Sequence, residues 1–183
     1  MFTIETCKSD LVKCNDAFIK ILEWKKSIED WVKEYHIFEY LKNNEKKKDI
    51  IFHNNLNIFI AGCSNVCFKP KISDIYILGY VKPDFNLENC NKCDSCVYNC
   101  PDLAISREKR DYPVLHPKLC NGCLNCYKVC PGRCISLSEI GVKIIVGERF
   151  VNYKNIPKSI EVKTPEQLIS FLNKIIKIKN MEF

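Results

Sequence analysis

CNKCDSCVYNCP at Cys90–Pro101 and CNGCLNCYKVCP at Cys120–Pro131 are two copies of one pattern, C-x2-C-x2-C-x3-C-P. The register between them runs beyond the cysteines. Asn91 repeats as Asn121, Ile105 as Ile135 and Ser106 as Ser136, while Ala104 falls opposite Cys134. A fixed internal period marks one structural unit used twice. Eight cysteines in register, each run closed by a proline (Pro101 and Pro131), do not arise from packing.

The spacing resembles that of the bacterial ferredoxins, and a tandem pair of such runs implies two 4Fe–4S cubanes. Three closely spaced cysteines wrap one face of a cube, and the fourth crosses to the other cube. Cluster A is then expected on Cys90, Cys93, Cys96 and Cys130, and cluster B on Cys120, Cys123, Cys126 and Cys100. Zinc prefers two separated C-x2-C pairs to four cysteines in one run. Disulfide frameworks belong to short secreted chains, and no charged segment followed by an apolar one opens this sequence as a signal peptide would. Thirteen cysteines without such a signal lead us to expect a reducing, anaerobic cytoplasm.

A length of 183 residues suits one domain, or a domain carrying an inserted module, and 46% hydrophobic residues allow a core. No apolar run reaches bilayer length, so no membrane association is expected. The formal charge of +6 overstates the basicity. Each cluster with four thiolates carries roughly −2, so two of them remove much of the positive excess. Glu45-Lys46-Lys47-Lys48-Asp49 reads as a solvated loop, and no basic stripe or helix-turn-helix supports nucleic-acid binding.

Flanking the repeat are helix and strand patterns. Ala17, Ile21, Trp24, Ile28, Trp31, Tyr35 and Phe38 fall on one stripe, which predicts a helix from Asn15 to about Lys42 capped by Asn15 or Asp16. Leu56–Ala61 and Ile72–Val81 read as strands, the second apolar on both faces. A third strand is predicted at Val142–Val146, between Gly141 and Gly147. Thr164, Pro165 and Gln167 form a capping box that starts a closing helix, with Leu168, Phe171, Leu172, Ile175 and Ile176 on its buried face. Arg107–Pro117 reads as an exposed linker between the copies, and Cys134 as a small buried residue in an alanine-sized slot. The fold expected is α+β, with residues 1–86 and 138–183 forming a sheet with flanking helices and 87–137 an inserted two-cluster ferredoxin module.

Four further cysteines form two pairs, Cys7 with Cys14 and Cys63 with Cys67. Cys14 sits where a helix start favours a thiolate. Cys63 and Cys67 follow a strand, on a loop that rigid structure can hold. Together the four could hold a third cluster.

Here the chain resembles the sirohaem sulfite and nitrite reductases. LNIFIAGCSNVCFKPKISDIYILGYVKP at Leu56–Pro83 is similar to that family's G-C-x-N-x-C motif, which a two-cluster ferredoxin module follows in several members. GVKIIVGERF at Gly141–Phe150 is similar to its strand and glycine loop, and TPEQLISFLNKIIKIK at Thr164–Lys179 to its closing helix. ETCKSDLVKC at Glu5–Cys14 stands where the family has C-x5-C, although the spacing here is C-x6-C and Lys8 replaces the usual glycine. Ser64 stands where a proline is common.

The resemblance implies a 4Fe–4S cluster on Cys7, Cys14, Cys63 and Cys67, with Cys67 bridging it to the iron of a sirohaem. Lys69, Lys71 and Arg149 are the basic residues expected to face that tetrapyrrole's carboxylates. Only six residues precede Cys7, so the family's preceding half-domain would come from a partner chain or a second copy. Two functions stand open. One is a sulfite or nitrite reductase-like protein passing electrons from a redox partner through two clusters to a third cluster and sirohaem. The other is a stand-alone ferredoxin-type carrier or electron-transfer subunit without sirohaem catalysis.

Overall fold

The computed structural model describes residues 2–9, 14–37, 56–65, 67, 72–107, 111–147 and 157–181, without the side chains of 176–181. In chain order its elements are β1 (Phe2–Thr6), α1 (Ile21–Glu34), β2 (Leu56–Ala61), β3 (Ile75–Phe85), α2 (Ser95–Tyr98), β4 (Ile105–Ser106), β5 (Val114–Leu115), α3 (Asn125–Val129), β6 (Ile135–Val146), β7 (Ser159–Val162) and α4 (Pro165–Met181). Five strands make one mixed sheet in the order β1-β2-β3-β6-β7. The first three run parallel, while β6 and β7 are antiparallel to their neighbours. A sheet with a few helices is compatible with the α+β class expected. No helix among the described residues is long and apolar enough to cross a membrane.

Alternation along the strands divides the apolar residues between two faces. Ile58, Ile60, Ile75, Ile77, Val142, Ile144 and Val162 join α1 and α4 in the main core. Trp31 of α1 is buried there, and its indole N–H donates to Asn173 Oδ1 of α4 at 2.8 Å. Phe59, Ala61 and Leu78 cluster on the opposite face, with Tyr76 edge-on to Phe59. Both faces of β3 are thus apolar, as the sequence led us to expect, and so are both faces of β2.

The first helix departs from its expected bounds. It starts at Ile21 after an extended Lys20, with no side-chain cap. Residues before it are engaged elsewhere: Phe18 N–H donates to Gly62 O at 2.8 Å, and Asp16 pairs with Lys128 at 2.7 Å. Neither Asn15 nor Asp16 is its cap. His36 adopts φ 47, which ends the helix, and Tyr35 is left 49% exposed rather than on the buried stripe. Phe38 and the rest of the predicted helix lie outside the described residues.

The closing helix starts where expected. Thr164 Oγ1 accepts from Gln167 N–H at 3.4 Å. Gln167 Oε1 reaches one residue further back than in a regular capping box, to Lys163 N–H at 2.7 Å. Leu168, Phe171, Leu172 and Ile175 are buried, while the side chain of Ile176 lies outside the described residues.

Strands β3 and β6 position the cysteine repeat. They pair from Ile75↔Val146 to Phe85↔Ile135, with a register shift between Val81 and Pro83. Both differ from their predicted ranges: β3 runs Ile75–Phe85 rather than Ile72–Val81, and β6 begins at Ile135 rather than Val142. The chain leaves the sheet along β3 and returns along β6, so residues 86–134 begin and end side by side. Pro83 fits at the bulge, where its missing N–H breaks no regular ladder.

Candidate metal centres

Each cysteine run is coiled by the same backbone device. Lys92, Asp94 and Leu103 have φ of 58, 61 and 51, and Gly122, Leu124 and Arg133 have 75, 60 and 49. The two sets occupy equivalent positions in the repeat. Five of these six residues are not glycine, and each such left-handed residue costs on the order of 1 kcal/mol unless its surroundings require it. Successive turns of this kind draw N–H groups into a concave loop suited to negative charge. Asn91 Oδ1 accepts from Cys93 N–H at 3.2 Å, and Asn121 Oδ1 from Cys123 N–H at 2.8 Å. The short helices α2 and α3 follow Asp94 and Leu124 and bury Cys96 and Cys126.

Strand pairing interlocks the copies. Ile105 after the first run pairs with Leu115 before the second, and Ile135 after the second pairs with Phe85 before the first. This crossed pairing carries the last cysteine of each run towards the other run. Cys90, Cys93, Cys96 and Cys130 line one cavity, closed by Phe85, Pro113 and Ile135 among others. Burial pushes the Cys96 thiol up, with Cys130 and Cys90 adding repulsion. The other four cysteines are linked electrostatically. Cys126 is pushed up to about 12, chiefly by burial, then by Cys120, Cys123 and Cys100. Cys120 is raised by burial and by Cys123 and Cys100.

Cys130 of the second run thus lines the cavity of the first, and Cys100 of the first run acts electrostatically on Cys120 and Cys126 of the second. Among the described residues, no three His, Cys, Asp or Glu side chains stand ready to share a single metal ion. Cubane ligands do not need that closeness, because each cysteine bonds a different corner iron. The buried thiol of each set, Cys96 or Cys126, resists ionisation, and a cationic centre would let it bind as a thiolate. The donor set and its inward-turned loops suit a thiolate-bound cluster.

Several contributors escaped the sequence reading. Ala104 N–H donates to Cys100 Sγ at 3.2 Å. Cys93 Sγ lies 3.3 Å from Ser95 Oγ, a contact that lowers its pKa. Arg107 is no exposed linker charge: it pairs with Asp94, and its guanidinium donates to Lys92 O at 2.7 Å. Gly122 seats the second run on the sheet, since a Cβ there would come within 2.7 Å of the Tyr80 ring. Tyr80 is buried, and its hydroxyl has no hydrogen-bond partner among the described residues. Burial, then Glu161 and Cys120, raises its pKa.

The second group of cysteines lies at the ends of β1 and β2. Cys7 N–H donates to Ile60 O at 2.9 Å, and Gly62 N–H donates to Cys7 Sγ at 3.3 Å. A Cβ on Gly62 would come within 2.8 Å of Ser9 Oγ and 2.9 Å of Ala17 Cβ. The turn after Cys14 therefore packs against the segment that leads into Cys63, which is 5% exposed. Gly79 makes the crossing possible, because a Cβ there would lie 2.0 Å from Gly62 O. Cys67 is exposed. Lys69, Lys71 and Arg149 lie outside the described residues.

No family model matches the chain. It is 44% identical over 48 residues to the coenzyme F420-dependent sulfite reductase of Methanocaldococcus jannaschii, covering 26% of this chain and 8% of that protein. It is 35% identical over 51 residues to one of the subunits of the anaerobic sulfite reductase of Salmonella typhimurium, covering 28% of this chain and 15% of that protein. Among solved structures, dissimilatory sulfite reductase I aligns over 94% of this chain and 44% of its own, with TM-score 0.45 and 16% identity. The sequence matches support a relation to sulfite reductases, and they span only a small part of those relatives' lengths.

Proposed function

We propose that this chain is an iron–sulfur electron-transfer protein of the sulfite reductase type, with a two-cluster ferredoxin module at residues 87–137 inserted into an α+β domain formed by 1–86 and 138–183. Cys90, Cys93, Cys96 and Cys130 hold cluster A, and Cys120, Cys123, Cys126 and Cys100 hold cluster B. The observation that most supports this reading is that Cys130 of the second run lines the cavity formed by Cys90, Cys93 and Cys96 of the first. When bound, a 4Fe–4S cluster supplies a reversible one-electron site. The protein's part is to hold the thiolates, turn backbone N–H groups towards the sulfurs, and exclude water with Phe85, Ile135 and Pro113. Cys93 lies at the exposed edge of its site, where a redox partner can approach.

The further reach of the proposal is a third cluster on Cys7, Cys14, Cys63 and Cys67, coupled through Cys67 to a sirohaem whose carboxylates meet Lys69, Lys71 and Arg149. Its support is the meeting of Cys7 Sγ, the turn after Cys14 and the Gly62-Cys63 segment at one end of the sheet. A partner chain or second copy would complete that site, in an anaerobic cytoplasm. Sulfite or nitrite reduction follows only if it is complete. The stand-alone carrier needs only the eight cysteines of the two repeated runs.

Iron and labile-sulfide counts with an absorption spectrum, on protein made anaerobically in a sirohaem-producing host, separate these outcomes. About thirteen irons with a sirohaem spectrum support the full reductase-like site, and about twelve without it support three clusters alone. About eight leave the two-cluster carrier, and absence of iron and sulfide overturns the reading.

A further inference from the structure

Cys134 is a thirteenth cysteine that none of these ligand sets uses. Its place in the repeat is that of Ala104, and both slots are closed, Ala104 being 1% and Cys134 6% exposed. The second copy thus puts a thiol where the first has a methyl group. That thiol lines the same cavity as Cys90, Cys93, Cys96 and Cys130. Its Sγ lies 3.2 Å from Cys130 Sγ, within hydrogen-bond reach for sulfur.

Either sulfur can donate while both are thiols. Once Cys130 is a ligand it has lost its proton, and only Cys134 has one to give. We propose that Cys134 donates an S–H···S hydrogen bond to the ligating sulfur of Cys130 and thereby raises the reduction potential of cluster A. Reduction adds negative charge that is shared by the ligating sulfurs. A donor fixed at one of them stabilises the reduced state more than the oxidised state, and a buried site strengthens the effect. At the corresponding place in the first copy, a backbone N–H, that of Ala104, donates to Cys100 Sγ. Cys134 is therefore a positioning and tuning residue, one that makes two otherwise repeated sites unequal. The inference rests on the reading that the eight cysteines hold two cubanes.

The test is an anaerobic redox titration followed by electron paramagnetic resonance, with iron counts, on the full chain and its Cys134→Ala, Cys134→Ser and Ala104→Cys variants. Cys134→Ala should keep wild-type iron and move one midpoint downwards while the other stays. Cys134→Ser keeps a donor and should restore most of the shift. Ala104→Cys should raise the other midpoint, and it carries the test if Cys134→Ala does not fold. Unmoved midpoints at full iron content overturn the proposal. Loss of about four irons from Cys134→Ala does so too, because it makes Cys134 a ligand. Absence of cubanes from the wild type overturns the electron-transfer reading itself, an outcome distinct from cubanes whose potentials ignore Cys134.

Discussion

At the scale of single residues, the repeat is bound to the sheet by contacts that leave no room for a methyl group. Gly122 has φ +75, and a Cβ there would lie 2.7 Å from the Tyr80 ring and 2.9 Å from Val81 O. Gly122→Ala should therefore cost stability twice, through backbone conformation and through displacement of a buried ring. A loss of about 1–3 kcal/mol is expected in anaerobic denaturant unfolding. The contact of Gly122 with Tyr80 joins residues far apart in the chain, so the sequence does not show it. The first copy has Lys92 at the equivalent place, also left-handed at φ 58, so the backbone requirement and the steric one are separate. Cys134 was legible as the occupant of an alanine-sized slot because the copies align. Its approach to Cys130 was not, since spacing does not say which way a side chain turns inside a buried site.

Among the elements, the clearest signals were those carried by local chemistry. Thr164 caps the last helix as its sequence predicts, with Oγ1 accepting from Gln167 N–H. Thr164→Ala should lower stability by about 1 kcal/mol, read as a shift in denaturation midpoint at unchanged m-value. The start of α1 was misread because Asp16, a good cap by type, is drawn into an ion pair with Lys128. Its neighbour Phe18 is tied to the loop after β2 through Gly62 O. Tertiary contacts of this kind outweigh cap preference. Strands β1 and β7 went unread: with five and four residues, they show too little alternation to stand out. Strand β6 was found only in its apolar half. Residues Ser136–Ile140 are exposed on the extension that carries the chain to the repeat, so burial imposes no pattern there.

For the whole molecule, the architecture follows from two long antiparallel strands that launch and recover the cysteine repeat from one sheet. The eight proposed ligand positions stand out in the sequence because cluster chemistry fixes their spacing. The strand order β1-β2-β3-β6-β7 was not, because parallel pairing of β1 with β2 depends on contacts made across a long stretch of intervening chain. The central claim is that each cubane takes three cysteines from one copy and one from the other. Iron content of the Cys96→Ala/Cys130→Ala double variant tests it most directly, because crossed ligation puts both residues on the same cluster. We predict about four irons fewer than wild type, with one cubane signal retained. A loss of about eight irons, with both signals gone, would place Cys96 and Cys130 on different clusters and contradict the account.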